Sequence, residues 1–196
     1  CEDDPSVTNH ERDGLQLATG KYLRVHPDLD AARIIVSLDA DPLGQHPDST
    51  RLIRQWADRR NPDSKWMNRL YAIESRLTLT GSNADHRLPV NSSRIPELLV
   101  QLEKLIEGDQ SSLEEMRESE QFQDRVLAAL ANDLREHRGE SLLMVGSHQS
   151  PEVHARVMRL NAKLDNIGKT LQLTDDMVSP SVRLPELITS MESGEI

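Results

Sequence analysis

The sequence predicts an α/β chain with a mostly parallel sheet covered by helices. Three observations carry this. Arg33-Ile34-Ile35-Val36-Ser37-Leu38 is a short apolar, β-branched run that suits a strand buried on both faces. It is followed by a segment with apolar residues at helical spacing and then by a second apolar run, Leu70 to Ile73, which makes a strand–helix–strand unit and implies a parallel pair. A third run, Ser141 to Val145, again precedes a helical pattern.

Taken in order, Cys1 to Asp13 is polar, acidic and without apolar period, and a flexible lead-in is expected over residues 1–21. Within it, Leu15 to Gly20 suits a helical turn closed by Gly20, while Tyr22 to Asp30 reads as a connection. The Arg33–Leu38 strand is stopped by Pro42 and Gly44. Asp48 is the N-cap candidate for a helix to about Arg60, with Leu52, Ile53, Trp56 and Ala57 on its apolar face. Asn61-Pro62-Asp63 breaks it, and the Leu70–Ile73 strand follows. Arg76 to Asn83 reads as a polar loop turning at Gly81, and Asp85 to Val90 as a second short extended segment.

From Ser92 the pattern turns helical. Ile95, Leu98, Leu99, Leu102 and Ile106 form one stripe, stopped by Gly108. Ser111 and Ser112, each followed three residues later by Glu114 or Glu115, suggest capping boxes. Gln121 to His137 carries Val126, Leu127, Leu130 and Leu134 and is closed by Gly139. These helices form an insertion of about 94–140 in a domain spanning 22–196. The acids between Glu103 and Glu120 read as a solvated helix face. Beyond the Ser141–Val145 strand, Ser150 and Pro151 open a helix with Val153, Val157, Leu160 and Leu164 inward. Gly168 closes it, Lys169 to Leu173 is a fourth strand, and Leu184 to Met191 is a last helix. Gly194-Glu195-Ile196 reads as the start of another strand.

Composition narrows the function classes. Net charge is −10 with a pI of about 5.2, and aromatic residues are 3%. That balance argues against nucleic acid, which wants basic faces and stacking platforms, and against an anionic membrane surface. No apolar run approaches the ~20 residues of a membrane-spanning helix. The single cysteine, Cys1, cannot by itself hold an iron–sulfur cluster or a cysteine zinc site. A Cys at position 1 is where a mature lipoprotein bears its lipid; a chain boundary is the reading we favour.

No motif declares an active site. Gly168-Lys169-Thr170 lacks the upstream glycine of a phosphate loop, and it follows a helix instead of opening one. No Gly-x-Gly-x-x-Gly follows the first strand. Ser147 lies just past a strand beside His148, but no Gly-x-Ser-x-Gly elbow surrounds it. The spacing of His148 and His154 does not put them on one helix face. What remains is a set of polar residues at strand ends: Asp39, Asp41, Glu74, Ser75, Asp85, His86, Ser147 and His148. In an open α/β sheet, ligands bind outside the carboxyl ends of strands. Paired carboxylates there can share a proton, or they can simply cap the following helix and turn.

Three segments carry a family resemblance. The first is Met67-Asn68-Arg69-Leu70-Tyr71 with Glu74-Ser75, Thr78-Leu79-Thr80-Gly81 and Ala84-Asp85-His86-Arg87-Leu88. The second is Ala31 to Asp41, ending in Ser37-Leu38-Asp39-Ala40-Asp41. The third is Ser147-His148-Gln149-Ser150-Pro151-Glu152-Val153-His154, then Leu160-Asn161-Ala162 and Asn166-Ile167-Gly168-Lys169-Thr170. Together they resemble the large iron–sulfur subunit of alternative complex III, a quinol-oxidising respiratory complex. Its members are molybdopterin-oxidoreductase-like and are often labelled iron–sulfur-cluster-containing hydrogenases. Arg33 departs from the usual acid of that family, and Pro42 from a frequent aromatic. The resemblance implies a Rossmann-like domain that has kept the molybdoenzyme fold without the pterin, with iron–sulfur clusters elsewhere in the parent protein. It further implies other subunits of a membrane-associated, periplasmic respiratory complex as partners, with no direct membrane insertion. We expect no cofactor or metal in this chain and no catalysis by it alone, the parent complex being the oxidoreductase. Two alternatives stay open: a contribution to a working molybdopterin-dependent or hydrogenase-like oxidoreductase, and a stand-alone acidic α/β binding module.

Overall fold

The computed structural model describes residues 9–108, 110–176 and 184–194. The chain opens with α1 (His10–Thr19), β1 (Leu23–Pro27) and β2 (Ile34–Leu38). α2 (Ser49–Asp58) leads to β3 (Arg69–Glu74), and the short α3 (Leu79–Asn83) to β4 (His86–Pro89). A 3₁₀ turn at Ser92–Arg94 runs into α4 (Ile95–Glu107), α5 (Gln110–Arg117) and α6 (Phe122–Glu136). Then come β5 (Ser141–Val145), α7 (Pro151–Lys163), β6 (Leu171–Asp175) and α8 (Leu184–Ser193).

Four strands form a parallel sheet in the order β4-β3-β2-β5, flanked by helices in a Rossmann-like arrangement. β2 is central, its five residues all buried, and Ile35 lies opposite both Leu70 and Leu142. Successive side chains leave a strand on opposite faces. Accordingly Ile34, Val36 and Leu38 pack with α4, α6 and α7, through residues such as Leu99, Leu130 and Val157. Ile35 instead joins Leu52 and Trp56 of α2, Leu15 of α1 and Met158. The three apolar runs therefore make one parallel sheet, as the sequence predicts.

Several local expectations need correction. Tyr22 to Asp30 is not a plain connection: it contains β1, which pairs antiparallel with β6 in a separate ribbon. The fourth strand accordingly lies outside the parallel sheet. The outer edge of β5 is closed against it: the Leu143 N–H donates to Asn161 Oδ1 (3.1 Å) and Asn161 Nδ2 donates to the Leu143 carbonyl (2.9 Å). Thr170 Oγ1 donates to the Ser141 carbonyl. One side chain of α7 thus takes the place of a neighbouring strand, satisfying backbone groups that burial would otherwise leave unpaired. The lead-in expected through residue 21 contains α1, whose Gly14 lies against Pro151 and His154 of α7. Glu195 and Ile196, read as a strand start, lie outside the described residues, as do Cys1 to Thr8.

The polar loop expected at Arg76–Asn83 contains α3, capped by Thr78, whose hydroxyl accepts from Gly81 N. Gly81 serves closeness rather than a turn. A Cβ there would lie 1.8 Å from Glu74 Oε1, so the first turn of α3 could not sit on that buried carboxylate. Asp48 precedes α2 without a side-chain capping bond; its carboxylate instead accepts from Arg51 (2.9 Å). Ser150 likewise makes no side-chain bond to the α7 amides. Ser111 and Ser112 lie inside α5 and not ahead of it. α7 ends at Lys163, and Gly168 sits in the turn before β6 with φ 81°. Glu107, Glu114, Glu115, Glu118 and Glu120 are exposed as expected, while Glu103 is partly buried and accepts from Arg156 (2.6 Å).

Candidate functional site at the centre of the sheet

The sheet grows to one side of β2 through β3 and β4, and to the other side through β5. The loops after β2 and β5 therefore diverge, which is where open α/β sheets hold ligands. A cleft of about 1380 Å³ opens there, bordered by Asp39, Ser75, Ser92, Ser147 and His148 on the strand-end side. Its apolar wall includes Leu15, Met144, Val157 and Met158.

Asp39 and Asp41 follow β2 with φ of 54° and 44°, a left-handed conformation that aspartate tolerates better than most residues. Each turns its carboxylate onto a neighbouring backbone amide. Asp39 Oδ1 accepts from Ser75 N (2.9 Å) and lies 3.5 Å from Ser75 Oγ. Asp41 Oδ1 accepts from Thr80 N (3.1 Å) and Thr80 Oγ1 (2.8 Å). Asp41 is buried and joins the loop after β2 to α3, so the capping role weighed for it is realised on another element.

After β5, Gly146 lets the two strand ends meet. A Cβ on it would lie 2.2 Å from the Asp39 carbonyl oxygen and 2.7 Å from His148 Cε1. The His148 ring thereby reaches Asp39, with Nε2 at 3.4 Å from Oδ2. Nε2 also lies 3.0 Å from Ser92 Oγ, and Gln149 Nε2 donates to the same hydroxyl (2.9 Å) and to the Ser92 carbonyl (3.2 Å).

The sequence candidates thus divide. Asp39, Ser75, Ser147 and His148 border the cleft. Glu74 is buried beneath it, accepting from Arg87 Nε (2.6 Å) and Thr78 Oγ1 (2.6 Å), a structural role. Asp85 and His86 do not join the crevice, contrary to expectation. They stand at the start of β4, on the amino edge of the sheet, where Asp85 Oδ2 accepts from Leu70 N (2.8 Å) and Arg60 (2.9 Å). His86 stacks on Tyr71 at 4.7 Å. Ser92 and Gln149 escaped the sequence reading, because nothing local marks a serine that meets a histidine 56 positions away. His154 also borders the cleft, 6% exposed, and its pKa falls to about 4, chiefly by burial and secondarily by the nearby His10. It is a neutral imidazole at physiological pH.

Among the described residues, no group of three or more His, Cys, Asp or Glu side chains is arranged to hold a metal ion. Nor, among them, is any helix long and apolar enough to cross a membrane. No family model matches the chain, and no curated protein matches it.

Proposed function

We propose that this chain is a cofactor-free, molybdopterin-oxidoreductase-like domain of a respiratory iron–sulfur subunit, acting as a scaffold for partner subunits of a quinol-oxidising complex. The observation that carries the cofactor-free part is the fate of the amides at the strand ends. A pyrophosphate-bearing cofactor needs free N–H groups and a favourable field there. Here the Ser75 and Thr80 amides already serve Asp39 and Asp41. The Asp39 carboxylate also borders the cleft, and its charge opposes an anionic group there. The respiratory assignment rests on the three sequence segments that resemble the alternative complex III subunit. The Rossmann-like sheet is compatible with it.

The size of the cleft favours one second reading, a domain that still lends part of its wall to a pterin in a working oxidoreductase. The native protein, tagged and isolated from its source membranes, discriminates the scaffold from a stand-alone module. Co-isolation in constant ratio with cysteine-rich and membrane-embedded subunits is the expected result. Recovery as a free protein with no constant partner overturns the scaffold reading.

A further inference from the structure

We propose that Ser92 and His148 form a nucleophile–base pair that gives this domain a carboxylic-ester hydrolase activity, independent of any scaffold role. Gln149 Nε2 donates both to the Ser92 carbonyl and to Ser92 Oγ, which fixes the amide orientation and occupies a lone pair of the hydroxyl. Ser92 Oγ lies 3.0 Å from His148 Nε2; in the tautomer that carries its proton on Nδ1, Nε2 accepts the hydroxyl hydrogen at a distance within the reach of a general base. Asp39 Oδ2 lies 3.4 Å from that same nitrogen. It therefore does not orient the ring through Nδ1, as the carboxylate of a triad does. It stabilises the imidazolium once Nε2 has taken a proton, and is a positioning residue in this scheme. The Asp39 side chain is 6% exposed and His148 55%, so the carboxylate is held in place while solvent reaches the base.

Ser92 Oγ attacks the ester carbonyl carbon as its proton passes to His148 Nε2. The bond to the leaving oxygen then breaks, and the imidazolium returns the proton to the departing alcohol. Water attacks the Ser92 ester in turn, giving one proton to His148, which passes it back to Ser92 Oγ as the acid leaves. Leu15, Met144, Val157 and Met158 wall the same cleft, and they suit an uncharged substrate with an apolar acyl chain.

The full chain is incubated with a fluorophosphonate probe and, separately, with p-nitrophenyl butyrate. Site mapping by mass spectrometry is expected to place the phosphonyl group on Ser92. Ester turnover is expected to fall at least 100-fold in Ser92→Ala and in His148→Gln, and to persist in Ser93→Ala, with thermal melts confirming that each variant folds. Asp39→Asn is expected to lower kcat with little change in KM. No adduct, an adduct confined to other residues, or unchanged turnover in Ser92→Ala overturns the proposal.

Discussion

Replacing Asn161 with leucine tests the physical logic of the sheet edge. Asn161 and Leu143 are each 1% exposed, so water does not reach the pair of hydrogen bonds between them. Leucine matches asparagine closely in size but offers neither donor nor acceptor. The substitution strands one backbone N–H and one C=O inside the protein, and also removes the acceptor of Asn166 Nδ2 (3.0 Å). At about 1–3 kcal/mol for each of these three buried unsatisfied groups, the loss is about 3–9 kcal/mol. That is a large part of the about 5–15 kcal/mol that holds a domain folded. Urea unfolding of the two proteins measures the difference, and amide exchange locates it. The Leu143 amide is expected to lose protection first, ahead of amides inside the β2–β3 ladder. A stability change below about 1 kcal/mol, with Leu143 still protected, would show that the edge does not depend on this side chain.

Two further outcomes follow from buried groups. His154 has a folded-state pKa of about 4, below its ordinary 6.5, so the unfolded chain binds more protons in that interval. Its contribution is complete above pH 6.5 and is lost as pH falls towards 4, on the order of 3 kcal/mol in all; His154→Asn should flatten the stability–pH slope there, read by urea unfolding at a series of pH values. Gly81→Ala drives a methyl group onto Glu74 Oε1, and thermal unfolding should register a loss of about 1–3 kcal/mol or more, where an ordinary helical site would gain from alanine.

The sheet was legible because its strands announce themselves locally. Arg33–Leu38, Leu70–Ile73 and Ser141–Val145 are apolar runs, the first and the third followed by a helical stripe, and the structure pairs them side by side. β1 was hidden because Leu23-Arg24-Val25-His26-Pro27 is short, partly exposed and ends in proline. Its partner β6 lies across nearly the whole chain, with Leu23 opposite Asp175. α3 was hidden because a five-residue helix has no room for an apolar period, and its glycine looks like a turn until the Glu74 carboxylate beneath it is seen. Within the site, Asp39, Ser75 and His148 were readable as residues just past strands. Asp85 and His86 were misplaced because they stand at the start of their strand, one just before it and one as its first residue, and in a parallel sheet the start of a strand belongs to the opposite edge. Ser92 reaches the site only through the fold.

The cofactor content of the native protein tests the central claim most directly. The complex is isolated under non-denaturing conditions, its iron and molybdenum are quantified per subunit, and the denatured supernatant is scanned for a pterin chromophore. The account predicts iron from cluster-bearing parts of the parent protein, molybdenum at background level and no pterin. Stoichiometric molybdenum with a released pterin would contradict it, and would mean that the carboxylates of Asp39 and Asp41 do not close this crevice to phosphate.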